Sequence, residues 1–179
     1  MKEVKIFARA GQGAITTAAI LGEALFLEGK YAYAFPHFGA ARMGAAMNAF
    51  LRFDTKPTRL RSKVYEPDYI IVVDPTLVES SQVFAGVKQG GKAVIAVRES
   101  TSVPEVKGVD IYKLPAEKIA KEIIGKPFAN TVLLGAFAKV SGQVSLDSVL
   151  KAVAKRFAEK PEVLQKNLDA VKKGYDSVG

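Results

Sequence analysis

Near the N-terminus stands Arg9-Ala10-Gly11-Gln12-Gly13, a run whose residue types suit an anion. Glycines at 11 and 13 let a ligand or another backbone come close. Backbone N–H groups at a turn that opens a helix lie at the positive end of the helix dipole, where phosphate or pyrophosphate is stabilised. Gln12 offers donors and an acceptor, and Arg9, Thr16 and Thr17 add further anion contacts. On spacing alone, the same residues equally describe a close strand–helix turn with no ligand. The run is not a Walker A motif, because no lysine precedes a Ser or Thr at the required place. It is not a full dinucleotide fingerprint either. Ala8 and Ala10 hold glycine-type positions, and no third glycine follows at the right spacing.

Four further places carry chemistry-bearing residues. In Pro36 to Gly44, Arg42 stands between Gly39 and Gly44 on an irregular loop, where a guanidinium either meets a carboxylate or phosphate or makes a structural salt bridge. His37 in the same loop has no second catalytic group tied to it, so it is read as structural. From Arg59 to Asp68, charges alternate with apolar residues, which predicts an edge strand, solvated or holding an interface through Arg and Tyr anchors. Asp74-Pro75-Thr76 follows a buried strand, at the end where ligands gather in open α/β sheets, and Asp74 equally suits a helix N-cap. Asn130 reads as a helix cap, with Gly135 and Ala136 allowing tight helix packing.

None of these groups makes a catalytic set. There is no Ser–His–Asp arrangement, no carboxylate pair at helical spacing and no nucleophile with an evident base. The chain has no cysteine and one histidine. That excludes disulfides, thiolate catalysis, cysteine-held iron–sulfur clusters and a multi-histidine metal site. No catalytic residue and no metal ligand are therefore expected in this chain.

The elements that must position these residues follow from periodicity. Val4 to Phe7 is a short strand leading into the glycine turn. From Ala14 the pattern is helical, with Ile15, Ala18, Ala19, Leu21, Leu25 and Phe26 as one broad apolar face and Gly29 closing it. Tyr31 to Phe35 and Ala45 to Phe53 are strands flanking the loop and suggest a locally antiparallel section. Tyr69 to Val73 is continuous and β-branched, as strands covered on both faces are. Ala93 to Val97 and Val109 to Leu114 are further strands. Helices run from Ala116 to Ile124, Thr131 to Val140, after Ser145 to about Phe157, and Pro161 to Lys173. This order predicts an α/β fold: a single three-layer α/β/α domain over residues 1–179, with a mixed β-sheet and a helical C-terminus.

The formal net charge is +8 and the sequence pI about 9.6, which favours anionic partners. The basic residues lack aromatics at the regular spacing of a nucleic-acid platform, so no nucleic acid is expected. No apolar run is long enough to cross a bilayer and no signal-peptide pattern opens the chain; the expectation is a cytoplasmic protein with no membrane contact.

Read together, these blocks resemble the gamma subunits of 2-oxoacid:ferredoxin oxidoreductases. The resemblance starts at Arg9-Ala10-Gly11-Gln12-Gly13-Ala14 and its Thr/Ala-rich helix. It continues through Ala34 to Gly39, Arg42-Met43-Gly44, Pro57 to Arg61, Tyr65 to Asp68, Asp74 to Leu77, and Asn130-Thr131 with Leu134-Gly135-Ala136. Where the family has glycine, this chain has Ala8 and Ala10. The resemblance implies one subunit of a complex that oxidatively decarboxylates a 2-oxoacid, pyruvate first, with coenzyme A to acyl-CoA, CO2 and reduced ferredoxin. It implies alpha, beta and delta subunits as partners and ferredoxin as acceptor. Thiamine diphosphate, magnesium and [4Fe–4S] clusters would sit on those partners, with no cofactor tightly bound here. Arg9, Gly11, Gln12, Gly13, Thr16 and Arg42 would face the coenzyme A approach. A stand-alone nucleotide- or flavin-binding module and a purely structural adaptor remain the alternatives.

Overall fold

The computed structural model describes residues 1–37, 42–80 and 82–178. A six-stranded sheet of order β2-β3-β1-β4-β5-β6 forms the middle layer. β1 (Lys2–Arg9), β4 (Tyr69–Val72), β5 (Gly91–Ala96) and β6 (Val109–Leu114) pair in parallel. β3 (Ala46–Asp54) is antiparallel both to β1 and to β2 (Tyr31–His37), which makes the sheet mixed, as expected.

Strand alternation decides the two cores. Val4, Ile6 and Ala8 of β1 face a helical layer, while Phe7 faces the other side with Ile70 and Val72 of β4. On the helical side, α1 (Ala14–Leu27) lies on β2 and β3, and α4 (Asn130–Ser141) lies on β5. α3 (Ala116–Ile124), α5 (Leu146–Arg156) and α6 (Pro161–Asp176) pack onto these two helices. The third layer is thin: α2 (Leu77–Ser80) and loop residues such as Val83, Phe84, Val87 and Val103 cover β4, β5 and β6.

Three local expectations are corrected. The buried stripe of α1 is Ala14, Thr17, Ala18, Ile20, Leu21, Ala24 and Leu25. Ile15 (42% exposed), Ala19 and Phe26 (66%) stand outside it. The helix is apolar almost all round, so periodicity alone does not select the buried side. Residues 55–68 form an irregular connection in place of an edge strand. Their carbonyls at Leu60, Ser62 and Lys63 accept hydrogen bonds from the buried Arg52 guanidinium, which replaces any strand partner. Asn130 is the first residue of α4 and does not cap it; Ala129 precedes it without a side-chain cap. Ser145 does cap α5, accepting from the Ser148 N–H at 3.1 Å.

Candidate functional site

The carboxyl ends of β1 and β4 lie side by side because the two strands pair in parallel, with Phe7 opposite Val72. That pairing brings Arg9, Gln12, Asp74 and Thr76 together across more than 60 residues of sequence. The turn after β1 closes on itself: the Arg9 N–H donates to Gln12 Oε1 at 2.7 Å, and the Gln12 N–H donates to the Arg9 carbonyl at 3.0 Å. Gln12 Nε2 then donates to Asp74 Oδ2 at 2.5 Å. Asp74 Oδ1 accepts from both the Thr76 N–H (2.9 Å) and the Thr76 hydroxyl (2.6 Å). The Arg9 guanidinium donates to Thr76 Oγ1 through Nε (3.1 Å) and Nη2 (2.8 Å), and to the Gly44 carbonyl through Nη1 (3.1 Å). Its Nε also lies 3.5 Å from Asp74 Oδ2.

One network therefore ties three segments: the glycine turn, the end of β4, and residues 42–45. The Ala10 N–H donates to the Ala45 carbonyl, and the Gly44 N–H donates to the Ala10 carbonyl, which extends the tie through the backbone. Gly11 and Gly13 have φ of +99° and +82°, a conformation that side chains disfavour. A Cβ on Gly11 would meet Met43 Sδ at 2.9 Å, and one on Gly13 would meet Asn130 Nδ2 at 3.2 Å. Met43 thus lies against the turn on one side and Asn130 on another. Ala8 is fully buried in β1, and neither Ala8 nor Ala10 takes a positive φ, so the alanines in place of family glycines leave the turn intact.

Gly13 precedes α1 with no side-chain cap, and the first turn carries no acidic residue. Thr17 turns inward, its hydroxyl donating to the Gly13 carbonyl at 2.9 Å. Thr16 is half-buried beside Gly13, and Ile15 is partly exposed. The leading N–H groups of a 14-residue helix thereby open beside the glycine turn, an arrangement suited to an anion. Arg42 is exposed, and its carbonyl accepts from the Ala45 N–H at 3.0 Å, so the backbone at its foot joins the same cluster. Phe38 to Ala41, the middle of the expected Pro36 to Gly44 loop, lie outside the described residues. His37 belongs to β2 and stacks on Phe50, ring centroids 6.0 Å apart, in keeping with a structural role.

Of the residues expected to bind, Arg9, Gly11, Gln12, Gly13 and Thr16 converge on this turn, and Arg42 stands next to it. Arg9 and Gln12 direct their side chains into Asp74 and Thr76, so they shape the turn more than they offer free donors. Asn130 was missed as a neighbour of the turn. It sits 117 residues beyond Gly13, and only the packing of α4 beside α1 brings them together. Among the described residues no group of three or more His, Cys, Asp or Glu side chains is placed to hold a metal, and no helix is long and apolar enough to cross a membrane.

Burial pushes the Asp74 carboxyl up, but hydrogen bonds from Thr76 and Gln12 and the charge of Arg9 outweigh it, leaving the group below its usual range. Asp68 behaves alike: burial is outweighed by hydrogen bonds from Lys2, Lys88 and the Glu3 N–H. A carboxyl depressed in the folded state contributes stability above its unfolded pKa and loses it as pH falls through the lower folded value. Stability is therefore expected to be level from pH 7 to about 5 and to fall progressively below about 4, the ordinary carboxylate range. Urea titrations at stepped pH test this, with Asp68→Asn and Asp74→Asn each flattening the acid limb; an acid limb unchanged in both variants would contradict it.

The chain matches the family model described as pyruvate ferredoxin/flavodoxin oxidoreductase over residues 3–177, and it belongs to that family. Its relatives point to one kind of subunit. Pyruvate synthase subunit PorC of Methanothermobacter thermautotrophicus is 42% identical, the match covering 99% of this chain and 96% of the relative. The pyruvate/ketoisovalerate oxidoreductases common subunit gamma of Pyrococcus furiosus is 42% identical, with 98% and 96% covered. Among solved structures, the pyruvate oxidoreductase subunit PORC of Thermotoga maritima superposes with a TM-score of 0.85 at 34% identity, covering 99% of this chain and 97% of that one.

Proposed function

We propose that this chain is the gamma subunit of a cytoplasmic pyruvate:ferredoxin oxidoreductase and that its glycine turn faces the coenzyme A approach. The subunit role is carried by a match that runs from one end of the chain to the other, to relatives named as gamma or PorC subunits of pyruvate enzymes. In this reading alpha, beta and delta subunits complete the enzyme and ferredoxin accepts its electrons. Thiamine diphosphate, held with magnesium on a partner, supplies the carbanion chemistry of decarboxylation. With no cysteine in this chain, the ligands of [4Fe–4S] clusters come from partners.

The local geometry fits a phosphate-bearing ligand in one part and leaves another part internal. The uncapped start of α1, Gly11, Gly13, Thr16 and the exposed Arg42 present donors and positive potential. Arg9 and Gln12 brace this surface from behind through Asp74 and Thr76. That internal bracing also favours a structural adaptor without ligand contact, and one measurement separates the two. In the assembled enzyme, Arg42→Ala is expected to raise the KM for coenzyme A roughly tenfold or more, the loss of one charge-assisted hydrogen bond. The value of kcat should change little, as for a contact made equally in ground and transition states. An unchanged KM in an intact complex favours the adaptor. Tight flavin or nucleotide binding by the isolated chain, measured by calorimetry, would favour a stand-alone module.

A further inference from the structure

The connection between β3 and β4 has an unusual foundation. Arg52 is 1% exposed, the largest fully buried residue by volume among the described residues. Its Nε donates to Glu3 Oε1 at 2.6 Å. Nη1 donates to the Ser62 carbonyl at 2.5 Å and Nη2 to the Lys63 carbonyl at 3.0 Å, with a longer contact from Nη1 to the Leu60 carbonyl. The Arg61 guanidinium lies 4.0 Å over the ring of Tyr33, the register partner of Arg52 on β2. Val64 is buried, and the Tyr65 carbonyl abuts Gly86, where a Cβ would approach within 2.1 Å. A segment without helix or strand is thus held in one shape by a buried charge, a stacked ring and a close backbone contact.

What this foundation presents outward is charge of one sign. Lys56, Arg59, Arg61 and Lys63 are all exposed, and residues 55–65 contain no acidic side chain. Among the described residues, none of these four cations forms an ion pair. Leu60 (46% exposed) and Tyr65 (70%) stand among them. The protein pairs charges elsewhere on its surface, as in Lys155 with Glu23 and Arg98 with Glu117. Here it concentrates cations outside any carboxylate pair, one of them stacked on Tyr33, on a rigid frame and intersperses an aliphatic and an aromatic side chain.

We propose that residues 56–65 form a preorganised docking surface for an acidic face of another subunit of the complex. This rests on the subunit role argued above and assigns it a surface. An excess of positive charge, four cations against the flanking Asp54 and the exposed Glu66, steers an acidic partner and fixes register. Leu60 and Tyr65 supply anchors that desolvate on contact. A frame already ordered in the free chain loses little conformational freedom on binding. The chemistry selects a protein over a nucleic acid, because a single exposed tyrosine gives no series of stacking platforms. It selects a lasting subunit contact over a passing electron carrier, because apolar anchors accompany the charges. The surface also lies far from the glycine turn. Glu3 and Arg52 stand at one end of the β1–β3 ladder and Arg9 with Ala46 at the other, six residues or roughly 20 Å away along β1.

The test co-expresses the tagged chain with the remaining subunits of its complex and measures assembly by pull-down and by analytical ultracentrifugation. Arg59→Glu/Lys63→Glu is expected to weaken association at least tenfold, while Lys118→Glu/Lys121→Glu, an equal charge change on exposed α3, leaves it unchanged. Leu60→Ala/Tyr65→Ala should weaken association as well, with less dependence on salt. Each isolated variant should keep the wild-type melting temperature, since the changed side chains are exposed. Normal assembly of both loop variants overturns the docking surface and leaves the subunit role standing. Normal assembly with slower ferredoxin reduction, or with a raised KM for coenzyme A, also overturns it in favour of a carrier or ligand surface. Failure of the wild-type chain to associate overturns the subunit role, and the docking surface with it.

Discussion

Gly135→Ala is expected to lower the melting temperature by roughly 6–12 °C, which corresponds to about 3 kcal/mol for a chain of this size. The reason is a crossing where two helices touch backbone to backbone. A Cβ on Gly135 of α4 would lie 1.9 Å from the Val171 carbonyl oxygen of α6 and 2.9 Å from the Tyr175 nitrogen. The contact is reciprocal: a Cβ on Gly174 of α6 would lie 1.9 Å from the Val132 carbonyl oxygen of α4. Neither obstacle is a flexible side chain that can swing aside. One added methyl therefore forces the helices apart, and Val132, Ala136, Ala170 and Val171, all fully buried, lose contact together. Gly174→Ala should cost a similar amount, and the double variant less than the sum, because one separation relieves both clashes. Urea and thermal unfolding of the three variants measure this. If either single variant stays within about 0.5 kcal/mol of wild type, the usual range of a surface change, the close crossing is wrong.

Arg52→Ala should be comparably damaging, at about 3–5 kcal/mol, the range for breaking one side of a buried ion pair. It leaves the Glu3 carboxylate, whose side chain is 11% exposed, without its 2.6 Å partner. It also leaves the Ser62 and Lys63 carbonyls without their donor. Lys88 Nζ, 3.9 Å from Glu3, offers only partial compensation. Arg52→Lys should recover only part of the loss, because an ammonium cannot fork to a carboxylate and two carbonyls at once. Glu3→Leu combined with Arg52→Met should recover more, since neither charge is then stranded. The clearest readout besides stability is local. Trypsin should cut after Arg59, Arg61 or Lys63 far faster in Arg52→Lys than in wild type under native conditions, because those bonds lose the contacts that order them. Equal cleavage rates would show that Arg52 does not hold the segment. The same variant should weaken assembly with partner subunits although no exposed cation has changed, which connects the buried arginine to the surface it supports.

Much of the molecule can be read from local pattern. The strand, glycine turn and helix of the first unit appear where expected, with the strand extending to Lys2–Arg9 and the helix at Ala14–Leu27. β4 is buried at every position, as its unbroken β-branched run predicts. α4, α5 and α6 fall within a few residues of their expected bounds, and Ser145 caps α5. Gly135 was legible as a packing residue, although not its partner Gly174. Hydrogen bonds and apolar spacing within one helix or strand reach only a few residues, so sequence alone carries enough information to place them.

The site and the docking frame were settled differently. Arg9 and Gln12 were visible as polar residues beside glycines, but their engagement by Asp74 and Thr76 depends on β1 pairing in parallel with β4 in one register. Arg52 is one of several basic residues in its part of the sequence; its burial arises because Glu3 is its register partner across 49 residues. The exposed side of α1 and the approach of Asn130 to Gly13 likewise follow from where α4 and α5 pack. Register and helix placement minimise exposed apolar surface over the whole sheet at once, so no short stretch of chain contains them. Residue types thus determined which chemistry this protein can present, and the global burial of its two sheet faces decided which of those residues meet, which are braced from within and which are left facing a partner.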